Sequence, residues 1–367
     1  MLKLDNINFF RILFTLVIVY GHIIQHHMMR LFGDMNFYQH LKVSYSFGYM
    51  CDMFFIISGF FMFFSFLKDT SFKNFIVSKF ARLQPVLIAS FVGILILSWI
   101  IPGVYYFKYQ NLLGLFFLDD SFAVNFLTNN GAAWYINVMF WGYIFYYCLN
   151  RIIPKDKINY VIGLIIFFAY SILFNKMELY AQPQIWQEGF LTIPMIRALA
   201  GMGLGYIIGD IYNKNLITDN QVNNESKIKT ILYTGLECVS LWFLFRFAII
   251  KWQEFNFPVM MILFVVLFYL FLTKKGYLSR WLDNNVCFTL GKYCFSIYMM
   301  QEVMFVILNE TFWKPYAANM SQPFVIVVSV LAVCVFGVIT YYLVEKPFGK
   351  LYKKIFSNNN RLFVRGG

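Results

Sequence analysis

The chain has 367 residues, of which 60% are hydrophobic, 21% aromatic and only 13% charged, about half the charged share of a water-soluble globule. Mean hydropathy is +0.62, which excludes a soluble globular enzyme and makes lipid the main solvent. The net charge of +12 is scattered between apolar runs and forms no basic stripe interleaved with aromatics, so nucleic acid is not the expected partner.

At about 20 residues per span, the apolar runs read in chain order as Phe9–Ile24, Met50–Phe66, Val86–Ile101, Ala132–Leu149 and Ile158–Phe174. The second half gives Phe190–Ile211, Ile231–Ile250, Pro258–Leu272, Cys287–Leu308 and Phe324–Val344. The first run ends among His22, His26 and His27 rather than at a small-residue cleavage site, so it reads as a spanning helix and not a signal peptide. Leu112–Leu118 is too short to span and reads as interfacial or re-entrant. Asn213–Lys229 is polar and rich in Asn, the composition of a flexible loop.

Placing the N-terminus inside segregates Lys and Arg roughly three to one in favour of the cytoplasmic loops. The expected fold is therefore all-α, a polytopic transmembrane helical bundle of about ten spans with both termini cytoplasmic. One membrane domain covers residues 1–356, and residues 357–367 form a disordered cytoplasmic tail. The cysteines (Cys51, Cys148, Cys238, Cys287, Cys294, Cys334) lie in or beside apolar runs without Cys-x-x-Cys spacing, which indicates neither a disulfide framework nor a zinc site.

A charged group at mid-membrane costs about 2.5–3.5 kcal/mol, so each one needs a reason. In the first helix Arg11 and His22 stand three turns apart to within about 20°, on one face with Asn8, Thr15 and His26 close to the same stripe. They are about 16 Å apart along the axis, which sets Arg11 near the inner mouth and His22 in the outer half. Arg11 can equally be a snorkelling anchor, and His22 a helix–helix hydrogen-bond partner. His22 and His26 have metal spacing, but no convincing third ligand follows and no metal is expected. Asp52 enters from the second helix at a depth comparable with His22. A carboxylate beside an imidazole would fix its tautomer and support a general base, while the plainer reading of Asp52 is an interfacial residue. Lys79 and Arg82, at i and i+3, face one way ahead of Pro85, which is suited to opening the third helix. They suit a phosphate-rich ligand or simply mark the inner face. Arg197, deep in the sixth run, is the hardest charge to explain as an anchor.

These residues, in this order, resemble the integral-membrane acyltransferase family 3, whose members acylate bacterial cell-surface glycans and related acceptors. The resemblance rests on Arg11 with Gly21-His22 following, Asp52-Met-Phe54-Phe55-Ile-Ile-Ser58-Gly59-Phe60, Lys79-x-x-Arg82-x-x-Pro85 and Ala133-Trp134 through Tyr143. It continues with Arg197-Ala-Leu-Ala-Gly201, Leu290-Gly291 through Ser296, Tyr298 and Gln301, and Glu345-Lys346-Pro347. This chain departs from the family pattern at Lys79, where Arg is usual, at Met139, where Glu is common, and at Gln301, where His is frequent.

The resemblance implies an acyl-CoA-dependent O-acyltransferase, most often an acetyltransferase, multi-pass in the bacterial inner membrane. Acyl-CoA (acetyl-CoA) is then a cytoplasmic co-substrate, with no permanently bound cofactor. The acceptor is a hydroxyl of a polysaccharide or lipid-linked saccharide, and membrane lipid is the remaining partner. His22 and Asp52 are the expected catalytic pair, His22 accepting the acceptor proton or transiently carrying the acyl group. Arg11, Lys79 and Arg82 are expected on the donor phosphates, and Ser58, Trp134, Arg197, Tyr298, Gln301 and Glu302 as acceptor-contacting or site-lining residues. Two other classes share the composition: a polysaccharide flippase or polymerase, and a proton-coupled transporter using the same His and Asp as a relay.

Overall fold

The computed structural model describes residues 4–24, 45–68, 70–101, 111–118, 121, 130–175, 187–188, 191–218, 226–249, 256–316 and 320–362. In chain order the helices are α1 (Ile7–His22), α2 (Tyr49–Phe66, entered through a 3-10 turn at Tyr45–Gly48), α3 (Phe72–Ile100), α4 (Ala133–Ile152) and α5 (Ile158–Asn175). They continue with α6 (Ile193–Thr218), α7 (Lys227–Ile249), α8 (Asn256–Thr273), α9 (Tyr277–Trp281), α10 (Asn285–Gly291), α11 (Cys294–Ile307), α12 (Gln322–Thr340) and α13 (Lys346–Leu362). The described strands are two residue pairs, β1 (Gln187–Glu188) and β2 (Leu191–Thr192), joined antiparallel.

Among the described residues, four helical stretches are long and apolar enough to cross a bilayer: Tyr49–Phe66, Phe72–Ile100, Lys227–Phe247 and Gln322–Ile355. Ile7–His22, Ile158–Phe174 and Phe257–Thr273 are apolar but shorter.

Three sequence expectations shift. Pro85 does not open α3 but lies inside it; the helix starts at Phe72, where Ser71 caps it by accepting the Asn74 N–H. Lacking an N–H, Pro85 leaves the Ala81 carbonyl without its helical donor, and Gly349 of α13 packs directly against that oxygen. The run Cys287–Leu308 is broken at Gly291–Cys294 into α10 and α11, with Asn284 capping α10 through the N–H groups of Val286 and Cys287. Finally, α12 runs through a π turn at Tyr341–Glu345 into α13, so helix extends to Leu362, past residue 357 where the tail was expected to begin.

The described elements fall into two compact units. The first holds α1, α2 to Phe64, α5, α6 from Ile196, and α7 to α10. Its core is aromatic: Phe10 and Phe271 approach to 4.5 Å, Phe14 and Phe264 to 5.5 Å, and Phe60 and Phe268 to 5.4 Å. Such pairs add about 0.5–1.5 kcal/mol each beyond their buried area. Helices α2 and α6 approach backbone to backbone. A methyl group at Gly205 would overlap the Ile56 carbonyl oxygen, and one at Gly59 would overlap that of Met202.

The entry to α1 is pinned by polar contacts. Asp283 Oδ1 accepts the N–H groups of Asp5 and Asn6 and its other oxygen pairs with Lys274, while Asn6 donates to the carbonyls of Phe271 and Ser279.

The second unit holds α3, α4, β1–β2, α11 from Phe295, α12 and α13. Its core stacks Phe117 on Phe140 at 4.3 Å and Phe75 on Tyr147 at 4.9 Å, and α13 lies along α3.

Two measurements check this packing. Gly205→Ala should cost about 1–3 kcal/mol, because a backbone oxygen cannot step aside. Gly163→Ala, where nothing lies within 4 Å of the added methyl, should be neutral or stabilising by up to about 1 kcal/mol. Equal melting temperatures for the two variants would contradict the close approach of α2 and α6.

The second measurement concerns Asp283. Burial pushes its carboxyl upward, but the Lys274 hydrogen bond and charge and the N–H groups of Asn6 and Asp5 outweigh it and hold the group below its ordinary value. A depressed folded-state value gives stability that is present above the unfolded pKa of about 3.9 and is lost as pH falls through the folded value. The melting deficit of Asp283→Asn should therefore be present near neutrality and close in strong acid. A deficit independent of pH would remove the ionic part of this anchor.

Candidate functional site

In the first unit the close approach of α2 and α6 brings two opposite charges together. Arg197 Nη2 lies 2.7 Å from Asp52 Oδ2, Arg197 Nε donates to Asp52 Oδ1 at 3.2 Å, and both side chains are at most 2% exposed. A forked, two-bond contact is the geometry that best offsets the cost of burying both ions. Arg197 spends a further bond, Nη2 to the Gly48 carbonyl at 3.0 Å, on the turn that leads into α2.

That turn touches His22. The Phe47 ring stands perpendicular to the imidazole at 5.3 Å. It also lies flat against Gly21, where any side chain would overlap it. The Gly-His pair thus has a local reason: glycine admits the aromatic ring that orients the neighbouring imidazole. His22 is half-buried at the last position of α1. A chain of contacts therefore runs from Asp52 through Arg197, Gly48 and Phe47 to His22.

Asp52, expected from the sequence beside His22, instead pairs with Arg197. The available signal was the cost of two isolated charges in apolar helices, which is lowest when they meet. Arg11 donates from Nη1 to Asn8 Oδ1 at 3.0 Å, and Thr15 donates to the Arg11 carbonyl, so the polar stripe of α1 is internally bonded at its lower end. Ser58, half-buried, lies on α2 just before Gly59. His26, with its metal-like spacing to His22, lies outside the described residues. Among those described, no three His, Cys, Asp or Glu side chains gather.

In the second unit α3 and α4 position the expected donor cations. The Lys79 ammonium sits 3.9 Å from the centroid of the Tyr143 ring and 5.1 Å from that of Phe75. Aromatic faces attract a desolvated cation by about 2 kcal/mol without occupying its hydrogen-bond donors as a carboxylate would. Arg82, one turn on, is exposed. Neither cation has a carboxylate partner among the described residues.

Helices α4 and α11 carry the expected lining residues. Trp134, Tyr298 and Gln301 are buried and Glu302 is half-buried. The helices meet where the Tyr135 and Tyr298 rings approach to 5.8 Å and Asn130 donates to the Met299 carbonyl at 3.0 Å. Two residues from separate closing motifs, not expected as partners, also meet: Ser296 Oγ donates to Glu345 Oε2 at 2.6 Å.

The family model of acyltransferase family 3, described as an acyltransferase domain, matches residues 4–342. The chain belongs to that family and is a membrane acyltransferase. No curated protein and no solved structure matches it significantly.

The buried pair is testable as a pair. Asp52→Asn or Arg197→Met should each cost about 3–5 kcal/mol, because each leaves a buried charge uncompensated. The double variant should lose much less than the sum. Additive losses would mean that the two side chains do not share one interaction.

Proposed function

We propose that the protein transfers an acyl group, most simply acetyl, from cytoplasmic acyl-CoA to a hydroxyl of a cell-surface or lipid-linked glycan. In this reading it is a multi-pass protein of the bacterial inner membrane with about ten spans and both termini cytoplasmic. The observation that carries the donor assignment is the pair Lys79 and Arg82, open to an anion at i and i+3 on α3. Arg11 is the third cation that the order of motifs assigns to the donor. The thioester arm then leaves the cytoplasmic side and enters the membrane.

His22 is the general base. An imidazole nitrogen takes the proton of the acceptor hydroxyl as that oxygen attacks the thioester carbonyl. The new C–O bond forms, the C–S bond breaks, and the imidazolium returns the proton to the departing thiolate. Asp52 acts on this step through Arg197 and the Phe47–Gly48 turn, as a positioning residue for the imidazole. Ser58, Trp134, Tyr298, Gln301 and Glu302 are assigned to acceptor contacts and lining.

Radiolabelled acetyl-CoA supplied to inverted membrane vesicles tests this reading. Wild type should label glycan. His22→Ala should bind acetyl-CoA normally yet transfer about a hundredfold or more slowly, the scale of a lost general base. Arg82→Ala should weaken acetyl-CoA binding by about ten- to a hundredfold. Near wild-type transfer by folded His22→Ala would overturn the mechanism.

A further inference from the structure

Asn137 lies in α4, and its side chain is fully buried. Neither its Oδ1 nor its Nδ2 has a hydrogen-bond partner among the described residues. Glu237 is also fully buried with one unpartnered oxygen, but its other oxygen accepts the Ser279 N–H. At Asn137 the whole carboxamide, one acceptor and one two-hydrogen donor, is left over. Buried polar groups are normally satisfied, because desolvating one without a partner costs on the order of 1–3 kcal/mol. In an apolar helix that cost selects against any amide that has nothing to bind.

The position of Asn137 says what it binds. It lies six residues before Tyr143, the ring that holds Lys79, so its backbone stands about 9 Å along the α4 axis and about 120° around it from that of Tyr143. A ligand held by its phosphates at Lys79 and running along α4 presents the next part of its chain at that level. In coenzyme A that part is the pantetheine arm, whose polar groups include two secondary amides. A secondary amide is the complement of a carboxamide side chain: its C=O accepts from Nδ2 while its N–H donates to Oδ1, and both orphan atoms are satisfied at once. A lone water could also bond to Asn137, but it would carry no information about the donor.

We infer that Asn137 recognises an amide of the donor's pantetheine arm, pairing with it through both atoms of its carboxamide. This rests on the acyl-CoA reading above. It makes Asn137 a binding residue whose free-state cost is recovered when the arm enters, favouring a pantetheine thioester over a simple acyl thioester.

The test uses purified full-length protein and three probes: acetyl-CoA, S-acetylpantetheine, and adenosine 3′,5′-bisphosphate, which lacks the arm. Asn137→Leu removes both polar atoms at similar volume. It should melt no lower than wild type without ligand, since an unsatisfied group has been removed. It should bind acetyl-CoA and S-acetylpantetheine about ten- to a hundredfold more weakly and the bisphosphate equally well. A second measurement does not depend on the variant folding: an S-acetylpantetheine analogue with ester links in place of its amides should bind wild type about tenfold more weakly than the parent.

Unchanged binding of S-acetylpantetheine by Asn137→Leu, or equal binding of the ester analogue and its parent by wild type, would overturn the inference and leave the donor reading standing. Parallel loss of bisphosphate binding, or an effect confined to acceptor dependence, would also overturn it. Failure of wild type to bind acetyl-CoA at all would remove the donor reading and this inference with it.

Discussion

The buried ion pair of Asp52 and Arg197 is the constraint on which the first unit depends. In hydrocarbon an isolated charge is too costly to keep, so the helices carrying these residues must approach until the charges meet. Only small residues allow that approach. Gly59 and Gly205 give up side-chain contacts so that carbonyls of the opposite helix can sit where a methyl would be. The gain is directional as well as energetic, since the guanidinium fork fixes both distance and rotation. The same Nη2 that pairs with Asp52 also donates to the Gly48 carbonyl and so holds the turn on which Phe47 stands against Gly21 and His22. A charge pair in the lipid zone is thereby converted into the orientation of an imidazole that Asp52 contacts only through intermediaries.

The second unit treats cations in the opposite way. Lys79 is held by ring faces rather than by a carboxylate, which keeps its charge available to an incoming anion. This gives a physical meaning to lysine at a place where the family more often has arginine. A compact ammonium on a long stem can settle over Tyr143 at 3.9 Å, whereas an arginine there would offer a planar fork. A buried ion pair joins helices in one unit, and in the other a lysine without a carboxylate partner among the described residues rests on ring faces.

Helix continuity also carries information. The long α3 places Lys79 and Arg82 on the same rod as an apolar span, so the cations are fixed relative to the hydrocarbon-facing part of the helix rather than carried on a loop. The proline within it leaves Ala81 with a free carbonyl, and α13 packs Gly349 against it. At the other end of that neighbour, the π turn at Tyr341–Glu345 brings Glu345 to Ser296, linking two motifs that are 49 residues apart. π turns commonly occur where a helix must offer a functional group out of its regular phase.

Composition and apolar periodicity determined that the protein is helical and lives in lipid, and the ordered motifs determined its family. Residue choice at Arg11, His22, Asp52, Lys79, Arg82 and Arg197 was legible because charge inside an apolar run is expensive and therefore conspicuous. Helix ends were less legible. Pro85 reads as a start and Gly291 as ordinary apolar sequence, because the partner that accommodates the one and the cap at Asn284 that precedes the other are set by packing and local hydrogen bonds. Partnership was the least legible. Nothing in the order of residues says that Asp52 pairs with Arg197, 145 positions away, rather than with His22 nearby. That choice depends on which helices can touch, and a few missing side chains decide it. The tertiary structure alone also reveals Asn137 as unsatisfied, because a hydrogen bond that is absent leaves no mark in sequence.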